Sequence, residues 1–157
     1  MATLSEPRTR PGPETAPDIV INGRKVVGGR AAGEALVTRQ TISGWGGVNA
    51  MKGEVIESRH ELRGVSFAGK VLVFPGAKGS SGWSAVFHLT RLAGTAPLAL
   101  AFNIMTTKAA LGAVVLRVPT LTDFDRDPLD CVETGDWVEI DADAGTLSVW
   151  KRPAVSE

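Results

Sequence analysis

The sequence predicts an α/β domain built on a compact, barrel-like mixed sheet. Three observations lead there: many short apolar segments separated by glycine-rich breaks, two helical stretches among them, and a pair of alternating segments near the C-terminal end. A length of 157 residues suits one domain with a real hydrophobic core. Residues 1–17 are rich in Pro, Thr, Glu and Arg and too poor in apolar groups to offset the entropy of ordering, so they are expected to be disordered. The domain is expected to span residues 18–152, followed by a tail at 153–157.

Taken in order, Ile19-Val20-Ile21, Asn22-Gly23 and Lys25-Val26-Val27 read as a tight hairpin, because Asn-Gly tolerates the positive φ angles of such a turn. Gly28-Gly29 breaks the pattern, and Ala35-Leu36-Val37 is a short strand leading to the glycine-rich loop Ile42-Ser43-Gly44-Trp45-Gly46-Gly47. Val55 to Ser58 and Lys70 to Phe74 are further strands around a polar turn region, His60 to Gly69. From Ala85 to Ala93, apolar groups at Ala85, Val86, Leu89, Leu92 and Ala93 form one stripe of an amphipathic helix packed on the sheet, which Gly94 is placed to end. Pro97 to Phe102 is a continuous apolar run, as a fully buried strand would be. Thr106 to Leu111 forms a short helix and Ala113 to Val118 a strand before Pro119. Trp137 to Asp141 and Thr146 to Trp150 alternate around a turn at Ala142 to Gly145, a terminal β-hairpin.

Composition narrows the function classes. Hydrophobic content of 43% and charged content of 22% are those of an ordinary soluble protein. With 17 basic and 17 acidic residues there is no basic excess or stripe to bind nucleic acid. The longest mostly apolar run, Ala96 to Met105, is about half of what a bilayer requires, and Met1 to Pro17 lacks the apolar core of a signal peptide. No membrane association and a cytoplasmic location are therefore expected. A single cysteine, Cys131, rules out an internal disulfide or a multi-thiolate metal site within the chain and reads as a small buried hydrophobe.

The stretch from Lys70 to Ser84 carries the most chemistry: a buried strand, a Gly/Ser loop and a helix start. The opening turn of a helix leaves about four N–H groups without intrahelical partners and adds partial positive charge. Small residues let a ligand approach that backbone, so the segment suits an anion or a developing oxyanion. Ser80, Ser81 and Ser84 add hydroxyls. Serine is also a preferred helix cap, and the residues alone leave capping and catalysis both open.

Gly33-Glu34-Ala35-Leu36-Val37-Thr38, Ile42 to Val48, Gly69 to Pro75 followed by Lys78-Gly79-Ser80-Ser81, Ala96-Pro97, Gly112-Ala113 and the closing hairpin occur in one order. That series resembles the swivelling β/β/α domain, or small subunit, of the aconitase X family, over Ile19 to Arg152. The resemblance implies an aconitase-swivel-like fold and a hydro-lyase split between two parts. An aconitase-like large subunit carries an iron–sulfur cluster, and the small part closes over the site and supplies a catalytic serine. It implies a small hydroxy-acid substrate: cis-3-hydroxy-L-proline first, mevalonate 5-phosphate second.

By the same resemblance Ser80 is the general base, and Lys78, Gly79, Ser81, Gly82, Ser84, Trp45, Gly46 and Gly47 bind substrate. No metal or cofactor is assigned to this chain itself. One departure stands out: Trp83 occupies a position where glycine is usual, which would narrow the pocket or change the loop's approach to substrate. Trp83 and Phe87, one helical turn apart and off the apolar stripe, are expected to touch the large subunit. A non-catalytic anion-binding or interaction module on the same fold is the alternative. His60 and His88 are too few and too far apart for a metal site, and Asp123 to Asp130 reads as a solvated loop.

Overall fold

The computed structural model describes residues 9–12 and 14–153. Strands occupy Ile19–Asn22 (β1), Arg24–Val27 (β2), Arg30–Val37 (β3), Ile42–Ser43 (β4), Val48–Asn49 (β5), Glu54–Val55 (β6), Val71–Phe74 (β7) and Ala77–Lys78 (β8). Helix α1 (Trp83–Ala93), strand β9 (Ala99–Phe102), helix α2 (Thr107–Leu116), strand β10 (Thr120–Thr122) and helix α3 (Pro128–Cys131) follow. Strands β11 (Trp137–Asp141) and β12 (Thr146–Trp150) complete the chain.

Eight strands form one mixed sheet in the order β1-β12-β11-β3-β7-β9-β10-β2. β1 and β2, separated by Gly23 alone, therefore sit at opposite ends of the order, and the sheet curls into a nearly closed barrel. The expected Asn22-Gly23 hairpin is thus corrected. β1 pairs antiparallel with β12 and β2 antiparallel with β10. Neither Asn22 nor Gly23 takes the positive φ of a hairpin turn. Instead, Asp125 captures Asn22, accepting its N–H at 2.9 Å and its side-chain amide at 3.1 Å, while Gly23 N–H donates to the Gly145 carbonyl at 2.9 Å. Long-range polar contacts replace the local turn.

The central strands β3, β7, β9 and β10 are parallel, and β7, β9 and β10 are buried on both faces. Leu72, Phe74, Leu100 and Phe102 face one core cluster, with α1 and α2, while Val71, Val73, Ala99 and Ala101 join the other, with Val138, Ile140, Leu147 and Val149. Burial on both faces is why β7 and β9 read as unbroken apolar runs. The terminal hairpin forms in the expected register, Trp137 opposite Trp150. Cys131 is buried in the second cluster, and His60 is also buried. Leu62 N–H donates to His60 Nδ1 at 3.0 Å, which leaves Nε2–H to donate to the Thr41 carbonyl.

Two helical expectations are corrected. On α1 the buried face is Trp83, Ser84, Val86, Phe87 and Thr90; of the expected stripe only Val86 is buried, and Leu92 is 68% exposed. The aromatic pair wins because rings bury more area than aliphatic side chains. Trp83 stacks on Phe87 with centroids 4.1 Å apart, so both belong to the core and neither is on an exposed contact face. The stretch Ala113 to Val118 is not a strand: α2 runs through Leu116 and ends on Arg117 at φ 58°. Gly112, where a Cβ would overlap the indole, is what allows α2 to lie against Trp83.

Of the expected disordered extension, residues 1–8 and 13 lie outside the described residues, as do residues 154–157 of the tail. The Thr15 carbonyl accepts the Trp150 indole N–H at 2.9 Å. No helix among the described residues is long and apolar enough to cross a membrane.

Candidate active-site loop

Strand β7 delivers the chain from the core to the loop. The Pro75 carbonyl accepts the N–H groups of Asn103 and Ile104, and the Gly76 carbonyl accepts that of Ile42. β8 pairs parallel with β4, placing Ser43 opposite Lys78. The loop root is therefore fixed and buried at Ala77, while Lys78, Gly79, Ser80 and Ser81 emerge into solvent. Gly79 has φ 95°, a conformation that L side chains rarely adopt.

The capping question is answered by position. Gly82 occupies the cap position just ahead of α1, and no side chain caps the first turn, which also holds no acidic residue. Ser80 Oγ accepts the Gly82 N–H at 3.3 Å and its carbonyl accepts Trp83 N–H at 3.2 Å, a local turn one step ahead of the helix. The electropositive end of α1 thus opens beside Ser80 and Ser81 without a neutralising group.

Open depressions flank the loop. One, of about 410 Å³, is lined by Arg39, Thr41, Glu57, Arg59, His60 and Lys78. There Lys78 Nζ pairs with Glu57 at 2.7 Å, while the other Glu57 oxygen is buried without a hydrogen-bond partner. Beside it, the Thr38 hydroxyl and Arg39 N–H donate to Glu61 and hold that carboxyl below its ordinary pKa. The other depression, of about 280 Å³, lies between Gly79 and Ser81 on one side and Thr106, Thr107, Lys108 and Leu111 of the α2 start on the other. Lys108 Nζ donates to the Gly79 carbonyl at 2.8 Å. Sequence reasoning missed Lys108, because nothing local marks it as a neighbour of a loop 29 residues away.

The sequence-selected residues separate accordingly. Lys78, Gly79, Ser80, Ser81 and Gly82 form one continuous surface segment, and Trp45 joins them: 63% exposed, its indole lies against Gly82, where a Cβ would overlap Nε1. Gly46 is exposed at φ 75°, but Gly47 is buried where a Cβ would meet Ser43, which makes it a turn requirement. Ser84 is buried on the core side of α1, away from the exposed hydroxyls. Trp83 is corrected too. Fully buried, it donates its indole N–H to the Ile42 carbonyl at 2.9 Å and does not enter either depression. The aspartates of 123–130 are occupied elsewhere: Asp125 with Asn22, Asp127 at the start of α3, Asp130 with Arg39.

The Trp45 contact is testable. Gly82 has φ −68°, which alanine adopts freely, so Gly82→Ala is expected to change stability by less than about 1 kcal/mol while displacing the exposed indole. A shift of the Trp45 indole N–H resonance with an unchanged melting temperature is the expected result.

Known proteins resemble the chain in sequence and in structure. Residues 20–149 match the family model described as the aconitase X swivel domain. The chain is 38% identical over 130 residues to the phosphomevalonate dehydratase small subunit of Methanocella arvoryzae, covering 82% of this chain and 98% of that one. It is 40% identical over 126 residues to the protein of the same name from Archaeoglobus fulgidus, covering 80% and 95%. Its structure superposes on a crystal structure of Thermococcus kodakaraensis aconitase X in its holo form with a TM-score of 0.79 at 36% identity, over 85% of this chain and 99% of that one.

Proposed function

The chain belongs to the aconitase X swivel-domain family, and we propose that it is the small subunit of a two-subunit hydro-lyase, with Ser80 as general base. The observation that carries this reading is the exposed, uncapped Lys78-to-Gly82 segment at the start of α1. The relatives are named phosphomevalonate dehydratase small subunits, so mevalonate 5-phosphate becomes the proposed substrate, ahead of cis-3-hydroxy-L-proline, the first expectation from sequence.

Dehydrating a β-hydroxy acid removes the α-proton and expels the β-oxygen, leaving an α,β-unsaturated acid and water. A serine oxyanion is too unstable at neutral pH to take that proton unaided; it needs fixed donors and positive charge around it. The α1 terminus supplies part of this, and Lys78, Ser81 and the loop backbone hold the substrate's anionic end. We place the iron–sulfur cluster on the large subunit, as the family resemblance implies; this chain has the single cysteine Cys131, and such clusters are held mainly by several thiolates. We place the assembled enzyme in the cytoplasm.

The test is co-expression with the aconitase-like large subunit and incubation with each substrate, following loss of water by mass spectrometry. Dehydration of mevalonate 5-phosphate is expected. Turnover of cis-3-hydroxy-L-proline instead would reassign the substrate, and turnover of neither would favour a non-catalytic anion-binding module.

A further inference from the structure

We infer that Lys108 is a positioning residue for Ser80, an inference that rests on the reading of Ser80 as the base. Two observations carry it. Lys108 Nζ donates to the Gly79 carbonyl at 2.8 Å, bridging the start of α2 to the loop. It also stands in the first turn of α2, where the helix dipole disfavours a cation, with no acidic residue in that turn to offset it. Lys25, Lys70, Lys78 and Lys151 all end on carboxylates, whereas Lys108 ends on a backbone carbonyl.

The mechanical consequence follows from peptide planarity. The Gly79 carbonyl and the Ser80 N–H share one rigid plane, so fixing the oxygen fixes the direction in which Ser80 leaves it. Without that tether the plane hangs on Gly79, the residue with the widest backbone freedom, held at φ 95° with no atom within 4 Å of a Cβ position. Lys108 thus converts a loose hinge into a defined one. It also contributes an ammonium-bearing side chain to the lining of the depression it shares with Ser81.

The test uses the two-subunit enzyme and mevalonate 5-phosphate, with Lys108→Met, Lys108→Arg and Ser80→Ala compared to the parent. Methionine keeps helix propensity and the side-chain stem, so the melting temperature is expected to hold. Lys108→Met should lower kcat roughly ten- to hundredfold with KM within about twofold, since displacements on the order of 1 Å carry losses of this size. Lys108→Arg, which still donates, should recover most of the rate. Independently of activity, amide hydrogen exchange of residues 79–82 in the full chain should accelerate in Lys108→Met. Unchanged kcat, unchanged exchange, or a raised KM with kcat intact would each overturn the positioning role, the last by making Lys108 a substrate ligand. If Ser80→Ala abolishes turnover and Lys108→Met does not alter it, the inference fails and the base assignment stands. If Ser80→Ala retains full rate, the assignment fails, and the inference with it.

Discussion

Ser80→Ala in the assembled enzyme should reduce kcat by roughly a thousandfold or more, within the range expected for losing a positioned general base and the contacts it makes. Folding and assembly should survive. Ser80 is exposed, and its hydroxyl makes one local contact, accepting the Gly82 N–H at 3.3 Å, whose loss is worth about 1 kcal/mol at most. The asymmetry between a small structural role and the large chemical one proposed for Ser80 makes the substitution informative. Ser81→Ala is the matched control: it removes a hydroxyl from the same exposed segment and should cost mainly substrate affinity. A second readout separates base from bystander. Exchange of the substrate's α-hydrogen with deuterated solvent requires proton abstraction, so it should vanish in Ser80→Ala and persist in Ser81→Ala. Retained exchange in Ser80→Ala would remove Ser80 from the proton transfer.

What was legible in the chain, and what was not, follows one physical division. The terminal hairpin and strands β7 and β9 were readable because their burial patterns, alternation in one case and an unbroken apolar run in the other, are written in consecutive residues. The strand, Gly/Ser loop and helix start around Ser80 were readable for the same reason. Features decided by distant partners were not. Asn22-Gly23 looked like a hairpin until Asp125, 103 residues away, claimed Asn22. The stripe on α1 followed aliphatic spacing, and no local signal reveals that Phe67 and Phe74 would draw Phe87 and Trp83 inward instead. Gly112 followed by Ala113-Val114-Val115 suggested a break and a strand, whereas the glycine is there to admit an indole ring. Lys108 lies in the same class. Ser84 lies close to the loop serines in sequence, but helical rotation turns it inward.

Trp83→Ala should destabilise the domain by about 3–5 kcal/mol, the usual cost of emptying a large aromatic site in a packed core. The ring is fully buried, stacks on Phe87 and Phe74, and ties β4 through the Ile42 carbonyl. One glycine is shaped around the ring and another around its backbone. A Cβ at Gly112 would overlap the indole, whereas one at Gly44 would come within 2.8 Å of the Trp83 Cα, at the start of α1. Gly112→Ala should therefore cost about 1–3 kcal/mol in the parent chain through overpacking. In a Trp83→Ala background the same methyl enters an emptied space and should cost little or become stabilising. Denaturant unfolding of the two single variants and the double variant measures that coupling. Strict additivity would mean that Gly112 is not small on account of the indole. The expected non-additivity has a counterpart in the proposed function. Trp83 is the first residue of α1, directly after Gly82, so the packing that admits a bulky indole at this position also anchors the end of the candidate active-site loop. Substitutions that loosen the ring should for that reason lower kcat before they unfold the subunit.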